Sequence, residues 1–346
     1  MSIEEEIRRI EEEIKNTPYN KATEKHIGLL KAKLARLREE ARRRTKKGGH
    51  GFAIKKAGDA SVAIVGPPSV GKSTLLNCLT NARSEVADYA FTTKLPVPGM
   101  MEYGGCQIQI IDLPGLIKSS EEREVFSMVR NVDLIIIMVD IYSIDKIEEI
   151  EKELREAGIK INEKKPNVVI RKKDRGGISI HLSKKCKISE DVVKAILMEY
   201  LNNADVVIRD DINEEQLIDA MIGNKVYLPT IRVINKIDIE ERKANLDAIH
   251  ISAKFGYGID ELKKKIFEKL DLIRIYMKPE KKKIEEKPMV MKKGATVRDV
   301  CEKLHRDFVK NFQYAIVSGK SVSFNGQRVG LNHKLVDGDV LTIVTR

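Results

Sequence analysis

The sequence predicts an α/β fold: a mainly parallel sheet with helices on both faces, joined to an N-terminal helical hairpin, an inserted α/β subdomain and a compact C-terminal α+β unit. Three observations predict it. Short β-branched runs (Val62–Val65, Ile108–Ile111, Leu134–Val139, Ile231–Ile234, Ala248–Ile251) alternate with helical stretches, as in strands joined by crossover helices. A glycine-bounded loop, Gly66 to Ser73, sits at the first strand-to-helix junction. Turn dipeptides and β-branched runs recur beyond a charged linker near the C-terminus.

In chain order, Ile3, Ile7, Ile10 and Ile14 form one helical stripe, and Leu30, Leu34, Leu37 and Ala41 a second. Pro18 and its flanking Asn16 and Asn20 break the helix between them. Residues 1–50 therefore read as a basic helical hairpin ending in Arg42 to Gly49, either a solvated helix end or an RNA phosphate contact. The alternating region occupies 58–160 and 230–275, interrupted by a subdomain at 161–229. Within that insertion a helix is expected from Ser189, a Ser N-cap, to Tyr200, and another over Asn213–Met221. A charged linker (276–287) leads to the final unit (288–346). There, strands are expected at Met289–Met291, Tyr314–Val317 and Val340–Val344. A helix capped by Thr296 is expected to carry Val297, Val300 and Leu304, and a hairpin over Val322–Val329 to turn at Asn325-Gly326.

The 346 residues suffice for several domains. Lys and Arg outnumber Asp and Glu by 63 to 52, and the excess is concentrated. Residues 1–56 hold 16 basic and 9 acidic side chains, and residues 160–187 hold 10 and 2. Two such blocks favour a polyanionic partner, RNA or the ribosome. The four cysteines are scattered, which argues against a zinc site or a disulfide framework and for free thiols in a reducing cytosol. No signal peptide is legible, and the longest apolar run, Leu134–Val139, is far short of a membrane span. A cytoplasmic location without membrane contact is expected.

Gly66-Pro67-Pro68-Ser69-Val70-Gly71-Lys72-Ser73 fits the P-loop pattern between a strand and the helical stretch Thr74–Leu79. Successive backbone N–H groups can converge there on phosphate oxygens at a helix N-terminus. Lys72 adds a point charge and Ser73 a hydroxyl for Mg²⁺. Asp112 in Asp112-Leu113-Pro114-Gly115 can hold the same metal through water, and the Gly115 N–H can reach a γ-phosphate. Between them, Tyr89 to Thr93 offers hydroxyls in a loop that could close over the metal.

The base contacts follow later strands. In Asn235-Lys236-Ile237-Asp238, an ionised Asp238 accepts hydrogen bonds only, which suits the N1–H and 2-amino donors of guanine and not adenine. Asn235 can bond the base or brace the phosphate loop, and Lys236 can lay its methylenes over the ring. Ser252-Ala253-Lys254 can offer backbone N–H to guanine O6.

The motifs GPPSVGKSTLL, YAFTT, DLPGLI, NKID and ISAK resemble the Obg-like GTPases, in particular the developmentally regulated GTP-binding branch, over nearly the whole chain. The resemblance implies a P-loop GTPase domain, a C-terminal β-grasp domain of the TGS, ubiquitin-like type, Mg²⁺ dependence, slow intrinsic GTP hydrolysis and a role on ribosomes or RNA. It places Lys72 and Ser73 on the phosphates and metal, with Gly66, Ser69, Val70, Gly71 and Thr74 completing the loop. Thr93 matches the switch threonine, with Thr92 as the alternative one register away. Leu116 stands where a water-orienting Gln occurs in other GTPases, so a GTP-gated scaffold that turns over only with a partner is the alternative. Ser69 replaces an Asn that serves as a potassium ligand in some relatives, which leaves potassium open.

Overall fold

The computed structural model describes residues 3–45, 56–80, 97–114, 122–239, 247–279 and 285–346. The chain divides into two compact units, Met1–Gly51 with Gly158–Tyr227, and Phe52–Ala157 with Leu228–Arg346. No helix among the described residues is long and apolar enough to cross a membrane.

The two N-terminal stripes become α1 (Ile3–Asn16) and α2 (Glu24–Thr45). Ile10, Leu30, Leu34 and Leu37 are buried between them. Asn20 ends the turn by accepting the N–H groups of Ala22 and Thr23. The basic run from Arg42 onward lies outside the residues whose side chains are described.

The central sheet begins with β1 (Ala60–Val65), α3 (Lys72–Thr80), β2 (Val97–Tyr103), β3 (Cys106–Asp112), α4 (Glu122–Val129), β4 (Leu134–Asp140) and α5 (Lys146–Glu156). The insertion follows: β5 (Ile159–Ile161), β6 (Val168–Lys172), β7 (Ile178–Leu182), α6 (Glu190–Met198), β8 (Ala204–Ile208), α7 (Glu214–Ile222) and β9 (Val226–Leu228). Both expected helices are present, capped by Ser189 and by an Asn213–Gln216 capping box. Strands β6, β8 and β7 form a sheet with β8 in the centre. Its inner face (Ile170, Ile180, Ala204, Val206) packs against Val193, Ile196 and Leu217 of α6 and α7. Helix α2 joins this core: Ala32 is fully buried in it, and the Tyr200 hydroxyl donates to the Ala32 carbonyl at 2.8 Å. Hairpin and insertion thus share one unit.

β10 (Thr230–Asn235), β11 (Ile249–His250) and α8 (Ile259–Lys269) complete the central sheet, ordered β11-β10-β4-β1-β3-β2. All its pairings are parallel except that of β2 with β3. Val62, Ile64, Ile136 and Val233 pack on Leu75, Leu79, Leu262 and Ile266 of α3 and α8. The alternate residues Val65, Ile135, Ile137 and Val139 are buried too, on the side where α5 packs on β4. Burial on both faces explains the unbroken apolar runs. It also gathers the carboxyl ends of β1, β3, β4 and β10 at one edge, where ligands of such sheets bind.

The C-terminal sheet holds β12 (Leu272–Met277), β13 (Met289–Lys292), β14 (Phe312–Ser318), β15 (Gln327–Val329) and β16 (Val340–Thr345), in the order β13-β12-β16-β14-β15. Helix α9 (Val297–Leu304) covers it through Val297, Val300 and Cys301, followed by the short α10 (Arg306–Lys310). Thr296 caps α9 in a capping box with Asp299. β12 begins within the alternating region expected to end at 275, yet it pairs in this sheet. One expectation is corrected. The hairpin is formed by β14 and β15, with Val317 opposite Gln327, so Asn325-Gly326 ends its loop instead of turning a hairpin over 322–329. The expected helix carries Val297, Val300 and Leu304, of which Leu304, its last residue, is 38% exposed. The sheet joins the core of the central sheet through Leu272 and Val290. Arg274 bonds both Asp337 oxygens and lies 5.3 Å over the Phe267 ring.

Candidate nucleotide site

Loop Gly66–Gly71 leaves β1 at the sheet edge and runs into the N-terminus of α3. Only glycine fits its two ends. A Cβ at Gly66 would lie 2.0 Å from the Met138 carbonyl oxygen, and Gly71 has φ +97° with a Cβ position 2.6 Å from the Asn235 amide nitrogen. Ser69 also takes a left-handed backbone, φ +64°. Val70 is buried beneath the loop, whereas Ser73 and Thr74 open the helix on its exposed side.

Lys72 is nine-tenths buried and donates to the carbonyls of Gly66 (3.2 Å) and Pro67 (2.9 Å). Burial pushes its amine below the ordinary lysine range, and the Asp112 charge pulls only partly back. Burial likewise raises the Asp112 carboxyl, against the Ser73 hydroxyl bonded to it at 2.6 Å and the Lys72 charge. Each charge is thus poorly compensated by the protein. The lysine suits an added anion and the carboxylate an added cation. Among the described residues, Asp112 Oδ1 is a buried oxygen with no hydrogen-bond partner. Beside the Ser73 hydroxyl, that orphaned oxygen fits a hard divalent cation such as Mg²⁺.

The base-side loops are tied to the phosphate loop through Asn235. Its amide nitrogen donates to the Val70 carbonyl at 2.8 Å, and its oxygen accepts from Ala253 N–H at 2.9 Å. Of the two roles expected for Asn235, bracing is the one these bonds fulfil. Ser252 donates its hydroxyl to Asp238 at 2.6 Å, which restrains an exposed carboxylate. The Ser252 and Ala253 N–H groups are used internally, by Tyr257 and Asn235. Among the described residues, the Lys254 N–H of that trio has no protein acceptor, so it is the donor left for a ligand. Lys236 has φ +64° and its amine reaches Asp140 at 2.8 Å. That contact carried no motif in the sequence; the only signal was an Asp closing an apolar strand. Cys78 adds a second tie, donating its thiol to the Ala253 carbonyl at 2.8 Å.

The structure therefore brings together Gly66, Ser69, Val70, Gly71, Lys72, Ser73, Thr74 and Asp112 at one end of the sheet edge, with Asn235, Lys236, Asp238, Ser252, Ala253 and Lys254 beside them. Thr92, Thr93, Gly115 and Leu116 lie outside the described residues.

Comparison with known protein families follows this layout. Residues 61–173 match the family model described as 50S ribosome-binding GTPase, residues 175–272 the C-terminal region of that domain, and residues 273–345 the TGS domain. The chain is a P-loop GTP-binding protein with a C-terminal TGS domain. It is 55% identical over 366 residues to an uncharacterized GTP-binding protein of Methanocaldococcus jannaschii, covering 100% of this chain and 94% of that one. It is 43% identical to developmentally-regulated G-protein 3 of Arabidopsis thaliana (100% and 99% covered) and 43% identical to developmentally-regulated GTP-binding protein 1 of Xenopus laevis (98% of each). It belongs to the family of developmentally regulated GTP-binding proteins.

Proposed function

We propose that this protein hydrolyses GTP to GDP and phosphate as a magnesium-dependent switch that docks on ribosomes or RNA. One observation carries the catalytic half: Asn235 is hydrogen-bonded at once to the phosphate loop and to the loop after β11. Base reading and phosphate gripping are thereby parts of one rigid pocket. In this reading the backbone N–H groups of Ser69 to Thr74 surround the phosphates, and Lys72 swings from its two loop carbonyls onto the β- and γ-oxygens. Asp238 accepts from the guanine edge while the Lys254 N–H donates to O6. Ser73 and Asp112, the latter through water, would hold magnesium, which supplies charge neutralisation on the phosphates. Thr93 and Gly115 are assigned to metal and γ-phosphate from sequence alone.

The docking half rests on charge. The outward positions of the β6-β8-β7 sheet carry Arg171 and His181, both exposed, with the exposed Arg209 just past β8 and Lys173, just past β6, paired to Asp205. Lys184 and Lys185 follow β7 and are exposed as well. The description of the matched family model as ribosome-binding, and the TGS domain, point the same way.

Multiple-turnover phosphate release, with and without ribosomes, tests the first half. The expected result is magnesium-dependent turnover of GTP and not ATP. Binding without release under either condition favours instead the gated scaffold that Leu116 suggests. Co-sedimentation with ribosomes in GDP against a non-hydrolysable GTP analogue tests the second half, and a nucleotide-dependent difference is expected. Identical pellets in both states contradict the switch.

A further inference from the structure

We infer that Asp140 is a positioning residue for guanine nucleotide, acting through Lys236. The inference rests on the proposed guanine pocket and goes beyond the motif residues that define it. Asp140 closes β4 directly opposite Asn235 in the parallel register. Lys236 follows in a left-handed conformation, φ +64°, and its amine donates to Asp140 Oδ2 at 2.8 Å. The other carboxylate oxygen is occupied: Oδ1 accepts the Ser143 hydroxyl at 2.6 Å and the Tyr142 N–H at 3.3 Å. Ser143 in turn accepts from the Asp140 N–H at 3.2 Å. The carboxylate is locked by its own turn, so it presents a fixed acceptor to the lysine. The Lys236 side chain is 31% exposed and Asp140 13%, so the amine is anchored while part of the side chain stays open to solvent. An aliphatic stem held at both ends is a preformed wall for a flat base. Without the anchor, a side chain with four rotatable bonds must be ordered each time nucleotide binds.

This role predicts a pattern that the other pocket residues do not share. Phosphates are gripped by Lys72 and the base edge is read by Asp238, so loosening Lys236 should weaken GDP and GTP by the same factor and leave the preference over ATP intact. Asp140→Asn keeps the acceptor for Ser143 and Tyr142 and removes the charge that holds the amine. Lys236→Met keeps the stem and removes the amine. We expect Asp140→Asn to weaken both nucleotides about three- to tenfold, the range for one newly ordered side chain, mainly through faster release of a fluorescent GDP. In the Lys236→Met background the same substitution should have no further effect. Asp140→Ala, read with the thermal midpoint of the nucleotide-free protein, separates positioning from simple folding support. Unchanged GDP affinity in Asp140→Asn, or an undiminished effect in the Lys236→Met background, overturns the role of Asp140 alone. Failure of the unmodified protein to bind GDP overturns the pocket itself and this inference with it.

Discussion

The central sheet is buried on both faces, and the insertion's three-stranded sheet on one. In the former, every residue of β1 is buried and all of β4 but its last, Asp140. Such strands can offer function only at their ends, and the nucleotide residues collect there. In the latter, β8 alternates buried and half-buried positions, which leaves one face for charges such as Arg171, with Arg209 just past the strand. One sequence thus places its nucleotide residues at strand termini and its exposed charges along a strand face, because burial differs.

The sharpest way to break this contrast is to truncate one side chain in each sheet. Ile136→Ala, at a fully buried position, should cost about 4 kcal/mol in chemical denaturation. Val207→Ala, on the open face of β8, should stay within about 0.5 kcal/mol. Next in size, Lys72→Ala should weaken GTP by roughly 100-fold or more, equivalent to the loss of about 3 kcal/mol of charge-assisted contact, while the thermal midpoint barely moves. Binding of RNA by the open face is sharpened by Arg171→Glu with Arg209→Glu, which should flatten the slope of log K against log salt by about 1.4 to 1.8 if each arginine meets one phosphate. A salt slope equal to that of the unmodified protein contradicts the assignment of that face.

A smaller effect concerns Asp133, just before β4. Burial raises its carboxyl, but bonds from the Ser61 N–H (2.9 Å), the charges of Lys292 and Lys56, and the Ser61 hydroxyl outweigh that and hold it below the usual range. Its contribution is therefore complete above the unfolded value of about 3.9 and fades as pH falls through the lower folded value. Asp133→Asn should be less stable than the unmodified protein near pH 7, and the gap should narrow and close as pH falls through the lowered folded value. A gap that persists in acid would assign the loss to packing instead.

The doubly buried strands were the most legible part of the fold, since β-branched runs such as Leu134–Val139 have no competing reading at that length. The Ser189 and Thr296 caps were equally clear, each accepting the backbone bond its chemistry suggests, whereas Asn213, expected inside its helix, is the cap just before it. Strand β2 was hidden because Pro98 and Gly99 sit inside it, tolerated on a sheet edge. Strands β6 and β7 were hidden by exposed charges on their open face. Sheet membership was illegible for β12, because Leu-Ile-Arg-Ile-Tyr-Met specifies a strand and not its neighbour. At the site, the motifs marked the ligand-facing residues, whereas the ties among them (Asn235 to Val70, Lys236 to Asp140, Ser252 to Asp238) join residues up to 165 positions apart and emerge only from folding.

The central claim is that one braced pocket reads guanine through Asp238 while gripping phosphates through Lys72. Titration calorimetry of Asp238→Asn with GTP, ATP and xanthosine triphosphate tests it most directly. The account predicts that GTP affinity falls and xanthosine triphosphate becomes the preferred ligand, because an amide can donate where the carboxylate could only accept. Unchanged GTP preference in that variant would contradict it.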